Sequence, residues 1–291
     1  MLKKKIAVAL LGALMFSPAV LPPNYFSPAS VAYAETKTAE DWYNEGRELY
    51  RAKNYSESVE RYKQALKLDP NNAIFWYYLS CSYFEMKNYD NALDSIKKSI
   101  ELAPKDPDVW NRAGRIYRGM KNYNEAAYHF KKAIEINPNY DIAYNNLGDI
   151  YFALQQYDDA IEYYQKATAL DPKPAIYWFN LGRSYDRLEN YNKAIENYKK
   201  SLNRDSNYGS AWNNLGVAYS NIGESSKALE SLQRAIEILP NSATTWYNLG
   251  CVCEELENYE DAVSAYKKAV ELNPNNAEYQ ESLEEALAKL K

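Results

Sequence analysis

The chain has 291 residues, with 39 acidic against 34 basic side chains, a formal charge of −5 and a single histidine. A net acidic chain is poorly suited to gripping nucleic-acid phosphates, and one imidazole leaves little from which to build a Ser/His/Asp or Cys/His site. The sequence also has no Gly-rich phosphate loop and no metal-spaced cluster, so no enzyme activity, cofactor or metal is expected.

Taken in order, the chain opens with Lys3, Lys4 and Lys5, runs apolar from Ile6 to Phe16, and turns small and Pro-rich around Pro18, Pro22 and Pro23. Ala32-Tyr33-Ala34 ahead of Glu35 supplies the small residues that a signal peptidase requires. Residues 1–34 therefore resemble a secretory signal peptide, with 35–38 a short linker, and the expected location is the periplasm, the cell envelope or the exterior. The alternative, an uncleaved anchor, needs an apolar run of roughly 20 residues, and this one is shorter and interrupted by Pro18. No spanning segment is expected after its removal. Loss of residues 1–34 takes away three lysines and no acid, leaving 31 basic against 39 acidic residues and a formal charge of −8. The first cysteine is Cys81, so the leader is not followed by a cysteine for lipidation.

From Ala39 to Asn276 the sequence repeats every 34 residues without insertion, as 39–72, 73–106, 107–140, 141–174, 175–208, 209–242 and 243–276. In the fourth copy, Tyr144, Leu147, Gly148 and Tyr151 stand at positions 4, 7, 8 and 11, the spacing of one helical face, and predict a helix A. Ala160, Ile161, Tyr164, Ala167 and Leu170 predict a helix B, which Pro172 ends. Position 4 reads Trp42, Trp76, Trp110, Tyr144, Trp178, Trp212 and Trp246; position 8 is Gly except for Ser80; positions 20 and 27 are Ala or Ser throughout. Small residues held amid so many aromatics predict close helix crossings, with the large side chains of positions 4 and 24 filling the space beside them. Neither helix is long enough to stand alone, so each pair must stack on its neighbours.

Variation between copies predicts finer features. Ser56, Asp90, Asn124, Asp158, Asn192, Ser226 and Glu260 at position 18 are expected to start each helix B, mostly as N-caps. Asn54, Asn88, Asn122, Asn190 and Asn258 in the preceding turn suit a left-handed backbone, where repeat six has Gly223 nearby. Repeat five has Ser206 in place of the terminal proline, which makes Asp205 to Gly209 the expected soft junction. Glu45 in repeat one, where Leu is usual, suits an exposed end. Residues 277–291 predict one more helix, a solvating cap with Leu283, Leu287 and Leu290 on one face.

These residues resemble the tetratricopeptide repeat pattern, W-x2-L-G-x2-Y…A-x3-F…P, over all but the two ends of the chain. The resemblance implies an all-α, right-handed superhelical solenoid of seven helix-turn-helix repeats plus a C-terminal capping helix. It further implies a scaffold that binds protein or peptide along a concave groove lined by positions 2, 5, 6, 9, 12 and 13 of each helix A. At position 6 stand Asn44, Asn146, Asn180, Asn214 and Asn248, whose carboxamides either hold the backbone of an extended peptide or make local hydrogen bonds. Nearer the N-terminus the same positions offer Tyr43, Arg47, Tyr50, Tyr77, Tyr78 and Phe84, then Arg112, Arg115 and Arg118 along one ridge. Those three charges repel one another unless something anionic relieves them, either Asp108 or a carboxylate of the partner. The carboxylate-gripping set of chaperone-binding family members is not reproduced, since repeat three has Asp108 at position 2 and repeat one has Tyr43 and Arg47 at positions 5 and 9. A glycan ligand, or self-association through the end faces, are the alternatives to a peptide. His129 is expected on an exposed surface, and Cys81, Cys251 and Cys253 as small apolar filler.

Overall fold

Fifteen α-helices and no strand make up residues 37–290, the part of the chain that this computed structural model describes. The expected signal peptide and its cleavage site lie outside those residues. The helix pairs are α1 (Ala39–Arg51) with α2 (Tyr55–Leu68), α3 (Ala73–Glu85) with α4 (Tyr89–Leu102), and α5 (Pro107–Gly119) with α6 (Tyr123–Ile136). Then come α7 (Asp141–Ala153) with α8 (Tyr157–Leu170), α9 (Ala175–Arg187) with α10 (Tyr191–Leu202), α11 (Gly209–Asn221) with α12 (Ser225–Ile238), and α13 (Ala243–Glu255) with α14 (Tyr259–Leu272). Last is α15 (Ala277–Lys289). All follow the 34-residue frame.

Each A helix packs on its own B helix and each B helix on the next A helix. Consecutive A helices from α1 to α13 also touch one another, whereas consecutive B helices make no comparable contact. The A helices are thus the crowded side of the stack, and they form its inner wall.

The close crossings sit where the small residues do. A Cβ placed on Gly148 would stand 2.6 Å from the ring of Tyr164, and one on Gly114 would stand 2.6 Å from Phe130. Position 8 is therefore open only because position 24 fills it from the partner helix. Ala92, Ala126, Ala160, Ala194, Ala228 and Ala262, at position 20, are wholly buried in the same crossings. A further link joins one repeat to the next. The indole Nε1 of Trp76, Trp110, Trp178 and Trp246 donates to the carbonyl of Pro70, Pro104, Pro172 and Pro240, at 2.8, 2.9, 2.8 and 2.9 Å. Trp212 makes the same bond to Ser206 at 2.9 Å, so the link survives the missing proline. In the cap, Gln280 takes over the role toward Pro274 at 2.7 Å.

Several expectations from the sequence are corrected. Helix B starts two residues earlier than position 18: its N-cap is position 16, where Asn88, Asn122, Asn190 and Asn258 accept from the N–H three residues on. The left-handed residue is not that Asn but the one before it, Lys53, Lys87, Lys121, Gln155, Glu189 and Glu257, with φ of 56 to 61°, and Gly223 in repeat six. An Asn is better spent satisfying an orphan N–H than tolerating positive φ, because the cap bond stabilises helix B while αL strain in a Lys is only about 1–2 kcal/mol. The repeat-five junction is altered in its helix. α10 has 12 residues against 14 in the other B helices, and the chain leaves it through Asn203.

The cap also buries a different face. Tyr279 and Ala286 are buried and Leu283 packs beside them, while Leu287 and Leu290 are 37 % and 43 % exposed. Among the described residues α15 packs against α14, so the face toward the preceding repeat is the one that finds a partner. Glu45 meets Lys37 and, at 3.4 Å, Arg61.

Gly148→Ala is expected to lower stability by about 1–3 kcal/mol in denaturant unfolding, because Tyr164 must leave a wholly packed site to make room. In a Tyr164→Ala background the same change should cost markedly less, whereas Leu would not suffice because Leu232 stands equally close to Gly216 at 2.6 Å. An equal cost in the parent and Ala backgrounds would assign the strain to another contact.

Candidate binding surface

Along the inner wall, position 6 of each repeat meets position 5 of the repeat before it. The ring of Tyr78 meets that of Tyr43 edge-on at 5.4 Å, and the guanidinium of Arg112 lies over Tyr77 at 5.4 Å. Asn146 Nδ2 donates to Asn111 Oδ1 at 2.8 Å, Asn180 Nδ2 to Asn145 Oδ1 at 3.1 Å, and Asn248 Nδ2 to Asn213 Oδ1 at 2.9 Å. The single lapse is at Asn214: Phe179 stands at position 5 of the repeat before it, Asn214 Oδ1 instead accepts from Asn213 Nδ2 within its own repeat at 3.1 Å, and Asn214 Nδ2 has only a long contact with Tyr198 Oη, at 3.4 Å. Asn44 has no preceding repeat and is exposed.

This changes the reading of the asparagines. Positions 5 and 6 do not lie off the buried stripe: Asn111, Asn145, Asn146 and Asn180 are all buried, and their amides are bonded to one another. Of the five asparagines singled out by position, Asn146, Asn180 and Asn248 are engaged between repeats, and Asn44 and Asn214 are not.

The aromatic end is brought together as one surface. Tyr43, Tyr77 and Tyr78 line a cleft of about 360 Å³ with Asp106, Asp108 and Val109. Arg47 stands over the rings of Tyr43 and Tyr78 at 5.5 and 5.8 Å, and Tyr50 reaches Glu85 at 3.4 Å. Burial pushes the hydroxyls of Tyr43 and Tyr50 up to about 12. A larger cleft, of about 550 Å³, opens over Leu66, Trp76 and Leu79 between α2, α3 and α4, and its polar rim includes Lys63, Lys67 and Lys98.

The three arginines divide. Arg118 Nη1 bonds Asp149 Oδ2 at 2.7 Å, and Asp149 Oδ1 accepts from Tyr164 Oη at 2.8 Å and from Asn180 Nδ2 at 3.2 Å. Burial nonetheless holds the Asp149 carboxyl above its ordinary range. Arg112 is 7 % exposed and lies over Tyr77 and Phe84, with no hydrogen-bond partner at Nε or Nη1. Arg115 stands over Phe84 at 5.5 Å. Burial, then repulsion from Arg112 and Arg118, pulls Arg115 below the usual guanidinium range. Asp108 does not relieve this charge, because it accepts the hydroxyl of Tyr140 instead. Among the described residues neither Arg112 nor Arg115 has a carboxylate partner.

Sequence reasoning missed Asp149 and the position-5 asparagines. The signal was present as Asn at position 5 in one repeat followed by Asn at position 6 in the next. His129 is also corrected: it is half-buried, between Trp110 and Tyr117 at 5.5 and 5.0 Å, with Nδ1 unbonded, and burial lowers its pKa. The cysteines are free thiols, Cys81 and Cys253 buried and Cys251 partly so, and burial raises all three, Cys253 to about 11. Among the described residues no His, Cys, Asp and Glu grouping could hold a metal, and no helix is long and apolar enough to cross a membrane.

A stack of antiparallel helix pairs with a continuous inner wall defines an all-α repeat solenoid. Tetratricopeptide repeat profiles match residues 43–107, 108–173, 139–207, 175–241 and 243–276, and the chain belongs to that family. No curated protein matches it significantly. Similar solved structures include a chain of the APC/C hetero-tetramer Cut9–Hcn1, 18 % identical over 86 % of this chain, with TM-score 0.67. That match spans 48 % of the other chain, so this protein has about half its length. YrrB, a TPR protein with an unusual peptide-binding site, is 22 % identical over 65 % of this chain and 98 % of its own, with TM-score 0.57. MamA is 27 % identical over 57 % of this chain and 97 % of its own, with TM-score 0.53.

Asn146→Ala is expected to cost about 1–3 kcal/mol of stability by leaving the buried Asn111 Oδ1 unpaired. Adding Asn111→Ala should cost less than its own single effect, and strict additivity in the unfolding free energies would show that the two carboxamides do not interact.

Proposed function

We propose that this protein is a non-enzymatic scaffold, exported to the cell envelope or beyond, that grips an extended segment of a partner protein along its inner wall. The observation that carries the reading is the buried guanidinium of Arg112, which has no carboxylate partner and is flanked by Arg115. A buried charge left unpaired is costly, and stacking on Tyr77 and Phe84 offsets only part of that cost. A carboxylate brought by a partner would complete the compensation, while the rings of Tyr77, Tyr78 and Phe84 would take its apolar side chains. The peptide-binding site of YrrB, on a similar fold, supports the same class of ligand.

Peptides selected from a random phage-displayed library on the parent chain are expected to be enriched in Asp and Glu beside an aromatic or aliphatic residue. Arg115→Glu should bind them at least tenfold more weakly at low salt, with the gap closing as ionic strength rises and the melting curve unchanged. Equal binding by parent and variant would remove the arginines from the site. Export is checked separately by intact mass: the chain recovered outside the cytoplasm should begin at Glu35, and a mass retaining residues 1–34 in the membrane pellet would replace export by anchoring.

A further inference from the structure

Three inner-wall carboxylates lie close to a position-24 tyrosine, and two of them bond to it. Asp149 accepts from Tyr164 Oη at 2.8 Å, and Glu254 accepts from Tyr266 Oη at 2.6 Å. The third is Asp186, at the same position in its repeat as Glu254, with Tyr198 where the seventh repeat has Tyr266. Asp is one methylene shorter than Glu, and the bond is not made: Asp186 Oδ1 is buried without a partner. Tyr198 lies within the field of that carboxylate, and its hydroxyl receives only the long contact from Asn214. The one gap in the carboxylate–tyrosine bonds thus adjoins the one lapse in the position 5 to position 6 pairing, where Phe179 leaves Asn214 without its usual asparagine. Arg183 does not fill the gap, because its guanidinium lies over Phe152 and Phe179 at 4.4 and 5.6 Å.

We propose that Asp186, Tyr198 and Asn214 form a docking point for the main chain of the bound peptide, one amide N–H donating to Asp186 and a carbonyl accepting from Asn214 or Tyr198. The proposal rests on the groove reading above and adds the chemistry of a second contact, two repeats beyond the arginines. Turning Asp149 or Glu254 toward a ligand would break existing bonds, whereas turning Asp186 breaks none and gives an orphaned oxygen a donor. A cationic group is disfavoured there by Arg183 and Arg187, which both act on Asp186. A neutral group carrying donor and acceptor together fits, and the secondary amide of an extended chain is one: its N–H matches Asp186 Oδ1 and its carbonyl matches the weakly engaged Nδ2 of Asn214, whose Oδ1 is already held by Asn213.

The test closes the gap by design. Asp186→Glu supplies the missing methylene, so its carboxylate should reach Tyr198 as Glu254 reaches Tyr266, and the variant should melt above the parent. The probes are the peptides selected on the parent chain, resynthesised with each backbone nitrogen methylated in turn. One methylation is expected to weaken binding to the parent about tenfold, the loss of one good hydrogen bond. Asp186→Glu should bind the unmodified peptide more weakly by a similar factor and be indifferent to that methylation, and Asn214→Ala should weaken it as well. The inference is overturned if the methylation scan is flat, if Asp186→Glu binds as the parent does, or if that variant melts no higher than the parent. Binding of an oligosaccharide panel instead, lost in Asp186→Glu, would overturn the peptide assignment. Loss of binding in Arg115→Glu with none in Asp186→Glu sinks this inference alone; loss in neither sinks the groove reading with it.

Discussion

The structure depends on a Cβ that is absent. At position 8 of helix A the ring or branched side chain of position 24 stands where a methyl group would be, about 2.6 Å from the Cβ that Gly46, Gly114 or Gly216 lacks. That contact sets how near the two helices of a pair approach, and position 20, an Ala or Ser without exposure, holds the same spacing one turn away. With the pair fixed, the Trp-to-carbonyl bond across every junction between repeats but the third, where position 4 is Tyr144, fixes the next pair on it. With pairs joined in this way, consecutive A helices touch one another on the inside while consecutive B helices make no comparable contact. Position 5 of one repeat comes to lie beside position 6 of the next, about 35 residues on in sequence.

A wall built this way has more polar groups than its own bonds consume, and the surplus is where a ligand can act. Asn111 with Asn146 and Asn145 with Asn180 spend their amides inside the wall, so those carboxamides specify register in the way buried polar pairs do elsewhere. Asp149 is spent on three partners at once. Arg112 at one end, and Asp186 Oδ1 further along beside the weakly bonded Nδ2 of Asn214, are not spent. An unsatisfied buried group costs more than a made hydrogen bond contributes, so these positions oppose folding and are the places where binding can return the most.

Much of the fold was legible in the sequence because its determinants are local and repeated. Tryptophan at position 4, glycine at position 8 and the small residue at position 20 each state the same steric fact in successive copies, and a period of 34 cannot be produced by surface charge alone. The turn chemistry was half legible. Asn at position 16 was visible, but whether it caps a helix or takes positive φ depends on one residue of register, and Lys53, Lys87 and Lys121 carry the strain in its place. The inner wall was the least legible part. Asn146 and Asn214 occupy the same position with similar neighbours in their own repeats, and they differ because Asn111 precedes one and Phe179 the other. His129 was misread for a related reason: its burial comes from Trp110 and Tyr117 on the adjoining helix, not from its own.

The distribution of basic residues connects these points. Within the seven repeats, helix A carries Arg47, Arg51, Arg112, Arg115, Arg118, Arg183 and Arg187 and no lysine, while the lysines lie on the B helices and in the loops. On the B helices Lys98, Lys132, Lys200 and Lys268 pair with a glutamate three or four residues away, exposed and worth a few tenths of a kcal/mol each. An ammonium is a strongly hydrated point charge and is best left in water. A guanidinium is planar and weakly hydrated, so it can lie on Tyr77 and Phe84 as Arg112 does, or on Phe152 as Arg183 does, and still present an edge of donors. A wall that only had to stay soluble would have no use for that difference. Arg61, Arg204 and Arg234 lie outside the A helices, but on the A helices arginine takes the place of lysine throughout. Where Arg112 and Arg183 lie on aromatic rings that hold their plane, they have the arrangement that the proposed recognition of a carboxylate or a main-chain carbonyl would use.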